Sequence, residues 1–381
     1  MDAATTSNGR RHTALTPLGG VQTVTGSKFV VDHGASRVLV DAGMFQGVRE
    51  LRERNWADLD VDPGSIDCVV LTHAHLDHCG YLPKLVKGGF TGPVYATPDT
   101  ARLLSVVLPD SARLQEEEAK FANRRGYSRH DPALALYTED DAWAALEQVL
   151  AVPFGEGRSV ADAVDITFRP AGHILGSASV SMRLVDGPTI CFSGDLGRKH
   201  HPLLVPPAAA GDADYVLVES TYGDRSHGEQ HPEQRLADLI NRTVDRNGKV
   251  IIPAFSVDRT EVILYHLRRL AQSGRLPNVP VFVDSPMALA ALTIYRDAFA
   301  DGAADVRKDA TLGPDVFDLP DLREVHDSEG SKAVSASRES CIIIAGAGMA
   351  SGGRVVHHLE KFLPDPRTSV ALVGYQAVGT R

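Results

Sequence analysis

Short apolar segments recur along the chain, and each is bounded by glycine, proline or polar residues. Runs of about four to eight apolar or β-branched residues between such turn signals are typical of buried strands. Residues 28–32 and 37–41 flank the turn-forming sequence His33-Gly34-Ala35, so they predict a β-hairpin. Further strands of the N-terminal half are predicted at residues 66–71, 93–96, 166–173, 178–184, 189–195 and 215–219, and helices at residues 81–87 and over most of 101–150.

The C-terminal part of the chain has a different pattern. Its amphipathic helices, such as residues 259–272, alternate with segments that have the character of buried strands. Helices between buried strands indicate βαβ units and a parallel sheet. We therefore predict an α/β protein with one domain at residues 1–222 and a second at residues 223–381. The buried strands of the second domain are predicted at residues 250–255, 281–284, 341–345 and 369–373.

Composition narrows the class of protein. Hydrophobic residues make up 43% and charged residues 23% of the 381 positions, which is typical of a soluble globular protein. No segment resembles a signal peptide, and no apolar run reaches the roughly 18 residues of a membrane span, so we expect a cytoplasmic protein without a membrane partner. The four cysteines form no C-x-x-C pair, which argues against a disulfide framework. The formal net charge of −10 disfavours nonspecific nucleic-acid binding, but bound metal ions can still supply positive charge to a phosphodiester site.

Candidate metal ligands crowd into the segment after the predicted strand at residues 66–71. His73, His75, Asp77 and His78 all follow that strand directly. Imidazole nitrogens and carboxylate oxygens bind zinc at about 2.0–2.2 Å, and one loop of this kind can serve two adjacent metals. The alternative is a surface loop that is merely rich in histidine, although such a loop gains nothing from a preceding buried strand.

Polar side chains also end other predicted strands. His173, Asp195 and Glu219 each close an apolar run. Open sheets place their sites at such an edge, so these strand ends predict one cleft. Asp41 ends a strand of the hairpin and is a candidate hydrogen-bond partner of the histidine loop; an ordinary turn-forming aspartate is the alternative.

The order and placement of these residues resemble the metallo-β-lactamase superfamily, whose αββα sandwich holds two metals. The segment ESTYGDR at residues 219–225, followed by a βαβ insertion, looks like the β-CASP branch of RNA- and DNA-cleaving nucleases, which includes bacterial homologues of the 73 kDa cleavage and polyadenylation specificity factor subunit. The resemblance implies a metallo-β-lactamase sandwich carrying an inserted β-CASP α/β domain. Four further segments resemble that branch: GMFQG at 43–47, GHILGS at 172–177, SGDLG at 193–197 and GMASGGR at 348–354.

The resemblance also implies a chemistry. Two metals roughly 3.5–4 Å apart hold a shared water as hydroxide, which attacks the phosphodiester in line. Asp77, Asp195 and Glu219 would have catalytic roles, and Asp41 and Glu219 would orient the ligand histidines. RNA, in single-stranded form, is the favoured substrate and DNA the less favoured one; the oligomeric state is not indicated. The implied ligands of two zinc ions are His73, His75 and His173 for one, Asp77 and His78 for the other, and Asp195 as the bridge.

The sequence departs from the family pattern after the inserted domain. The family carries two further histidines there, one in a Ser-Ala-His motif linked to leaving-group protonation and one that completes the second metal site, and neither motif is found. We therefore expect the C-terminal return segment to be missing, the second zinc site to be incomplete and the activity to be reduced, since loss of a general acid typically lowers a rate about 10²–10⁴-fold. The alternatives are a truncated, noncatalytic β-CASP protein that acts as a binding subunit, and a small-molecule hydrolase. The βαβ domain argues against the hydrolase, because small substrates need no such lid.

Three other segments carry weaker signals. Ser351, Gly352 and Gly353 are able to present backbone N–H groups to a phosphate before a predicted helix, although a plain helix start explains them equally well. The segment RRGYSR at residues 124–129 is interpreted mainly as a solvated helix face, with contact to a nucleic-acid strand as the alternative. The adjacent residues His357 and His358 are predicted to be a pair on a helix surface rather than a pair of metal ligands, because neighbouring helical side chains diverge.

Overall fold

The chain forms two compact units, Met1–Gly223 and Asp224–Arg381. The predicted domain boundary after residue 222 lies one position from this division. Within the described ranges, none of the helices has the length and apolar character that a bilayer crossing requires. The computed structural model describes residues 11–128, 130–226, 231–310, 315–350 and 352–376.

The first unit contains two mixed sheets. The strands of its first sheet are β1 (Thr13–Gly19), β2 (Lys28–His33), β3 (Ser36–Val40), β4 (Cys68–Val70), β5 (Val94–Ala96) and β6 (Val149–Ala151). They pair in chain order, antiparallel from β1 to β3 and parallel from β3 to β6, so the predicted hairpin is confirmed. The strands of the second sheet are β7 (Gly157–Ala161), β8 (Val164–Pro170), β9 (Ala178–Leu184), β10 (Thr189–Phe192) and β11 (Tyr215–Leu217). Strands β7 to β10 pair antiparallel, and β11 joins β10 in parallel at the edge.

The two sheets of the first unit pack face to face around a shared apolar core. Val31, Val38 and Val40 of the first sheet belong to the same buried cluster as Phe168 and Val180 of the second. Residues along β8 alternate between buried and partly buried, because successive strand residues point to opposite faces of a sheet. The packing of these inward-facing residues holds the ends of the strands in both sheets in fixed positions.

Five helices of the first unit lie within the described residues. The longest, at residues 98–125, starts three positions before the predicted helical stretch, and the Thr97 side chain accepts a hydrogen bond from the Thr100 N–H at the N-cap. It ends at Gly126, whose left-handed φ of 66° suits a glycine C-cap. The helices are α1 (Arg49–Glu53), α2 (Leu76–Cys79), α3 (Leu82–Lys87), α4 (Pro98–Arg125) and α5 (Glu139–Leu146).

Three strands of the second sheet end earlier than predicted. Strand β8 stops before His173, β10 before Asp195 and β11 before Glu219. Gly172 and Gly194 have left-handed φ angles of 64° and 54°, so the chain turns out of the sheet before it reaches these polar residues. His173 and Asp195 therefore stand on loops, where their side chains are not confined to one face of a sheet.

The second unit contains a parallel sheet, as predicted. Its strands are β12 (Val250–Pro253), β13 (Val281–Asp284), β14 (Leu322–Glu324), β15 (Ile342–Ala345) and β16 (Ser369–Val370). Among the described residues the order is β14-β13-β15-β12-β16, and every pair is parallel. The helices are α6 (Pro232–Asp245), α7 (Arg259–Gln272), α8 (Pro286–Asp301), α9 (Ser328–Ala336) and α10 (Arg354–Phe362). Strands β12, β13 and β15 are buried along their whole length, as expected where helices alternate with parallel strands. The α/β class is confirmed.

His358 differs from its prediction as a surface residue. His357 is exposed on α10, but His358 is fully buried, with Nε2 2.7 Å from Asp284 Oδ2 and Nδ1 3.0 Å from Ser335 Oγ. Adjacent helical residues point about 100° apart, so one of them faces solvent while the next faces the sheet. The predicted surface pair is therefore wrong for His358.

Candidate metal centre

Asp41 organises the site from the end of β3. Strand β3 is parallel to β4, so their C-terminal ends lie side by side, and the Asp41 N–H donates to Val70 O at 2.9 Å. Asp41 has a left-handed φ of 60°, which aspartate tolerates better than most residues. Its buried carboxylate accepts hydrogen bonds from Thr72 N–H at 2.8 Å, from the Thr72 hydroxyl and from Ser27 Oγ. The end of β3 thus holds the first residues of the loop after β4.

The same carboxylate orients the histidine loop. His78 lies on the short helix α2, and its Nδ1 is 2.7 Å from Asp41 Oδ2. The Nδ1 of His73 lies 3.0 Å from Thr72 Oγ1. In each imidazole Nδ1 is hydrogen-bonded to a protein oxygen, which leaves Nε2 for another partner. This is the usual arrangement of metal-binding histidines.

The loop after β8 brings His173 to the same place. The His173 N–H donates to Ser177 Oγ at 3.0 Å, which holds the loop. At the start of β9, the Ala178 N–H donates to Thr72 O at 2.9 Å and joins the second sheet to the histidine loop. His173 and His75 are 98 positions apart in sequence, yet His173 Nε2 lies 3.1 Å from His75 Nδ1.

Four residues have the spacing of a zinc site. One ligand atom from each of His73, His75, His173 and Asp195 lies within 4.8 Å of the others. His75 Nδ1 is 3.2 Å from His73 Nε2 and 3.1 Å from His173 Nε2. Nitrogens around a tetrahedral zinc with bonds of about 2.0–2.1 Å stand about 3.3–3.4 Å apart, so the three imidazoles fit such an ion. Asp195 Oδ2 is 3.4 Å from His173 Nε2, close enough for it to be a fourth donor.

A second group lies on the other side of Asp195. Its Oδ1 is 3.2 Å from His78 Nε2, and Asp77 Oδ2 is 4.0 Å from that same nitrogen. Asp195 thus directs one carboxylate oxygen toward the three-histidine group and the other toward His78. The structure brings all six predicted ligands together, and their binding of a metal pair stays a prediction.

Burial and charge set the protonation of the histidines. Burial, reinforced by the charge of His78, lowers the pKa of His73 well below its ordinary value. Burial likewise lowers the pKa of His75 to about 4. Burial alone would lower the pKa of His78, but the charges of Asp195 and Asp41 raise it well above its ordinary value. Because neutral imidazole is the form that binds a metal, His73 and His75 are ready at neutral pH, whereas His78 must release a proton.

Glu219 has partners other than the histidines. Its carboxylate accepts a hydrogen bond from the Thr221 N–H at 2.9 Å, and its own N–H donates to Ser193 Oγ at 3.0 Å. Among the described residues these are its hydrogen bonds, and none of them is to a ligand histidine. Its predicted orienting and catalytic roles stay predictions.

The predicted phosphate-binding segment lies in the second unit. Ser351 is outside the described residues, and Gly353 is the N-cap of α10 with a left-handed φ of 71°. The Val355 N–H in the first turn donates to Gly346 O at 3.0 Å, so that donor is already used within the protein. Phosphate binding by Ser351, Gly352 and Gly353 stays a prediction.

Sequence reasoning missed the role of Thr72. Its buried hydroxyl lies 2.9 Å from Asp41 Oδ1, 3.0 Å from His73 Nδ1 and 3.4 Å from His78 Nδ1. Thr72 therefore links one carboxylate to two imidazoles. Its place between an apolar strand and the first histidine is the signal that points to this role.

The chain matches two protein families and several characterised relatives. The Metallo-beta-lactamase superfamily matches residues 24–238, and the Beta-Casp domain matches residues 260–381. Ribonuclease TTHA0252 of Thermus thermophilus is 37% identical over 96% of this chain and 80% of that protein. The RNase J-like protein of Methanocaldococcus jannaschii is 31% identical over 95% of this chain and 77% of that protein. Transcription termination factor FttA of Pyrococcus horikoshii is 31% identical over 96% of this chain, which spans 56% of the length of that factor.

The family matches agree with the architecture described above. The superfamily match includes strands β2 to β11 of the two packed sheets and every residue of the histidine and aspartate cluster, and the Beta-Casp match begins within α7 of the second unit. The resemblance drawn from the sequence motifs is confirmed. The chain belongs to the metallo-beta-lactamase superfamily, in its β-CASP RNA-processing branch.

Proposed function

We propose that this chain is a zinc-dependent ribonuclease that hydrolyses phosphodiester bonds of single-stranded RNA. The observation that carries the proposal is the convergence of three imidazoles and Asp195, whose second oxygen lies 3.2 Å from His78 Nε2. Nitrogen and oxygen donors without thiolates suit zinc. RNA is proposed because two similar proteins are named as ribonucleases or RNase-like.

The proposed metal chemistry needs both ligand groups. A bound metal pair would supply a water molecule with a pKa of about 7 and would neutralise charge on the phosphoryl oxygens. Asp195 suits the bridging position because its two oxygens face different histidines. We assign His73, His75 and His173 to one zinc, Asp77 and His78 to the other, and Asp195 to both.

The protein's own residues hold the ligand histidines in the orientation that metal binding needs. Asp41 accepts a hydrogen bond from Nδ1–H of His78, so the proton that His78 must release to bind a metal is the one on Nε2, which faces Asp195. The Thr72 hydroxyl holds His73 in the corresponding orientation. We propose that Glu219 positions Asp195, because the Glu219 N–H is bonded to Ser193 on the same loop.

The two units receive different proposed roles. We assign metal binding and hydrolysis to the first unit, which contains the packed sheets and the ligand cluster. We assign the second unit as the β-CASP domain. The reduced activity expected from the sequence stays a prediction. It is tested by comparing the turnover number of this chain with that of Ribonuclease TTHA0252 on one RNA.

Zinc-dependent cleavage of a labelled single-stranded RNA tests the proposal. The protein should bind about two zinc ions and lose cleavage when a chelator removes them. His75→Ala should lower the cleavage rate at least about 100-fold, since even partners of metal ligands are worth about 10–100-fold. His357→Ala is the matched control, because His357 is an exposed histidine outside the cluster.

The outcomes separate the competing functions. Cleavage that survives both the chelator and His75→Ala would refute the proposal. Binding of zinc and RNA without any cleavage would support the noncatalytic binding subunit instead. Cleavage lost on His75→Ala and kept on His357→Ala would support the ribonuclease.

A further inference from the structure

Exposed aromatic side chains gather at the C-terminal end of α4. Phe121 is 45% exposed and Tyr127 58% exposed, and their ring centroids are 6.1 Å apart. Trp56 is 51% exposed and stacks on His130, with ring centroids 6.5 Å apart. Such large apolar rings are usually buried, so three of them around one helix end need an explanation.

The same helix end is locally cationic. Residues 119–130 contain four arginines and lysines and no aspartate or glutamate; acidic residues 116–118 and 131 flank them, and Lys120 pairs with Glu116. Arg124 and Arg125 are exposed, and neither forms an ion pair with a described carboxylate. Arg113, earlier on α4, instead pairs with Asp110 and Glu117. The two arginines are thus free to meet an anionic partner from outside the described residues.

The surface is held in place by the protein. The Gly126 N–H donates to Ala122 O at 2.9 Å and ends the helix in a left-handed turn. The Asn123 side chain then exchanges two hydrogen bonds with the backbone of Ala133, at 2.7 and 2.9 Å. Arg125 lies over the Phe121 ring, 5.6 Å from its centroid. A surface ordered before binding loses less entropy when a ligand arrives.

We propose that this aromatic-arginine surface, formed by Trp56, Phe121, Arg124, Arg125 and Tyr127, binds single-stranded RNA as a second contact site. Nucleobases stack on aromatic rings and arginine planes, while arginines neutralise phosphates, and this combination is characteristic of single-strand binding. Charge complementarity favours an anionic partner, and the three aromatic faces favour RNA over an acidic peptide, because a peptide has no bases to stack on them. The inference rests on the proposed ribonuclease function and names where a long substrate is held.

The surface lies far from the metal ligands along the first unit. At the N-terminal end of α4, the Thr97 and Thr100 hydroxyls donate to Gly176 O at 2.6 and 2.9 Å, on the loop that carries His173. Phe121 comes 23 positions after the first residue of α4, or about 35 Å at 1.5 Å per residue, and this is an upper limit because α2, which carries Asp77 and His78, also packs against α4. A stacked strand advances about 3.4 Å per nucleotide, so at most roughly 10 nucleotides separate the two places. Only an RNA longer than this reaches both.

RNA length therefore tests the inference. Binding is measured by fluorescence anisotropy with the full chain and a chelator, using labelled RNAs of about 6 and about 24 nucleotides, below and above the roughly 10 that bridge the sites. Phe121→Ala with Tyr127→Ala should weaken binding of the long RNA at least about fivefold per ring. Arg124→Gln with Arg125→Gln should lower the slope of log affinity against log salt by roughly 0.7 per lost phosphate contact. In both cases the loss should be greater for the long RNA, because only the long RNA contacts this surface and the metal ligands together.

Two variants serve as matched controls. Trp143 is 49% exposed on α5, but acidic residues surround it in sequence, so Trp143→Ala removes an exposed ring from an anionic setting. Arg158 is an exposed arginine without a described ion pair, so Arg158→Gln removes the same charge elsewhere in the unit. Both controls should bind the long RNA as the parent does, and circular dichroism melting should show all variants folded.

The results distinguish this inference from the proposed function. Equal binding of the long RNA by parent and surface variants overturns the inference, whether or not zinc-dependent cleavage is present. Equal losses for the short and long RNA overturn the placement of the surface away from the metal ligands. A loss that is greater for the long RNA than for the short RNA supports the inference even if the parent fails to cleave, in which case the ribonuclease proposal alone is refuted.

Discussion

Asparagine at position 41 is the sharpest test of the proposed metal centre. Asp41→Asn keeps the size of the side chain, and asparagine tolerates the left-handed φ of 60° as well as aspartate does. One carboxylate oxygen, which accepts from Thr72 N–H at 2.8 Å, has an equivalent in the amide. The other oxygen lies 2.7 Å from His78 Nδ1 and 3.0 Å from Ser27 Oγ, and asparagine places an NH₂ donor there.

Replacing the carboxylate oxygen, an acceptor, with an NH₂ group, a donor, changes the tautomer of His78. Facing an NH₂ group, Nδ1 must accept, so the proton moves to Nε2, the nitrogen 3.2 Å from Asp195. A protonated Nε2 has no lone pair for a metal. Loss of such a partner typically lowers metal affinity about 10–100-fold, or about 1.4–2.7 kcal/mol. The effect should fall on the zinc assigned to His78 and spare the one assigned to the other three histidines.

Competition with a chromophoric chelator measures both zinc affinities. Asp41→Asn should keep one tight zinc and bind the second about 10–100-fold more weakly. Asp32→Asn is the matched control, because Asp32 lies on the same hairpin and pairs with Arg37 rather than with the cluster. If both zinc affinities of folded Asp41→Asn stay within twofold of the parent, the tautomer argument is wrong.

Two buried groups predict how stability changes with pH. Burial, with the charge of Arg54, lowers the pKa of Lys28 to about 7. Between about pH 7 and pH 10 the unfolded chain therefore binds more protons than the folded chain, so the free energy of unfolding should rise over that window. Denaturant unfolding at both ends of the window should show a smaller rise in Lys28→Met, and an unchanged rise would contradict this assignment. Burial raises the pKa of Glu261 well above its ordinary value of 4.5, and its carboxylate oxygens have no hydrogen-bond partner among the described residues. Above pH 4.5 the unfolded chain loses this proton more readily than the folded chain, so folding should become less favourable as pH rises. Glu261→Gln should therefore raise the melting temperature more at pH 8 than at pH 4.5, and equal shifts at the two pH values would count against the argument.

Local patterns in the sequence were enough to predict most of the fold. Helix α7 occupies residues 259–272, the range that its amphipathic pattern predicts, and the buried runs of the second unit form a parallel sheet. The exact strand ends were not predictable in this way. Strands β8 and β10 end just before glycines with left-handed φ angles, and the sequence pattern does not show where such a turn begins. His358 was also misplaced, since its partner Asp284 is 74 positions away. A pattern that repeats every few residues carries no information about such a distant contact.

The sequence by itself determined which metal-binding side chains the protein has and that they follow strands. It determined this because apolar runs and the polar residues that end them are local features, and because the motifs are specific to one family. Only the tertiary structure decided which atoms meet. His75 Nδ1 reaches His173 Nε2 across 98 positions, and the two oxygens of Asp195 face different histidines, because the two sheets pack on each other and bring their loops together. That packing rests on long-range contacts between side chains, which no local pattern of hydrophobic and polar residues specifies.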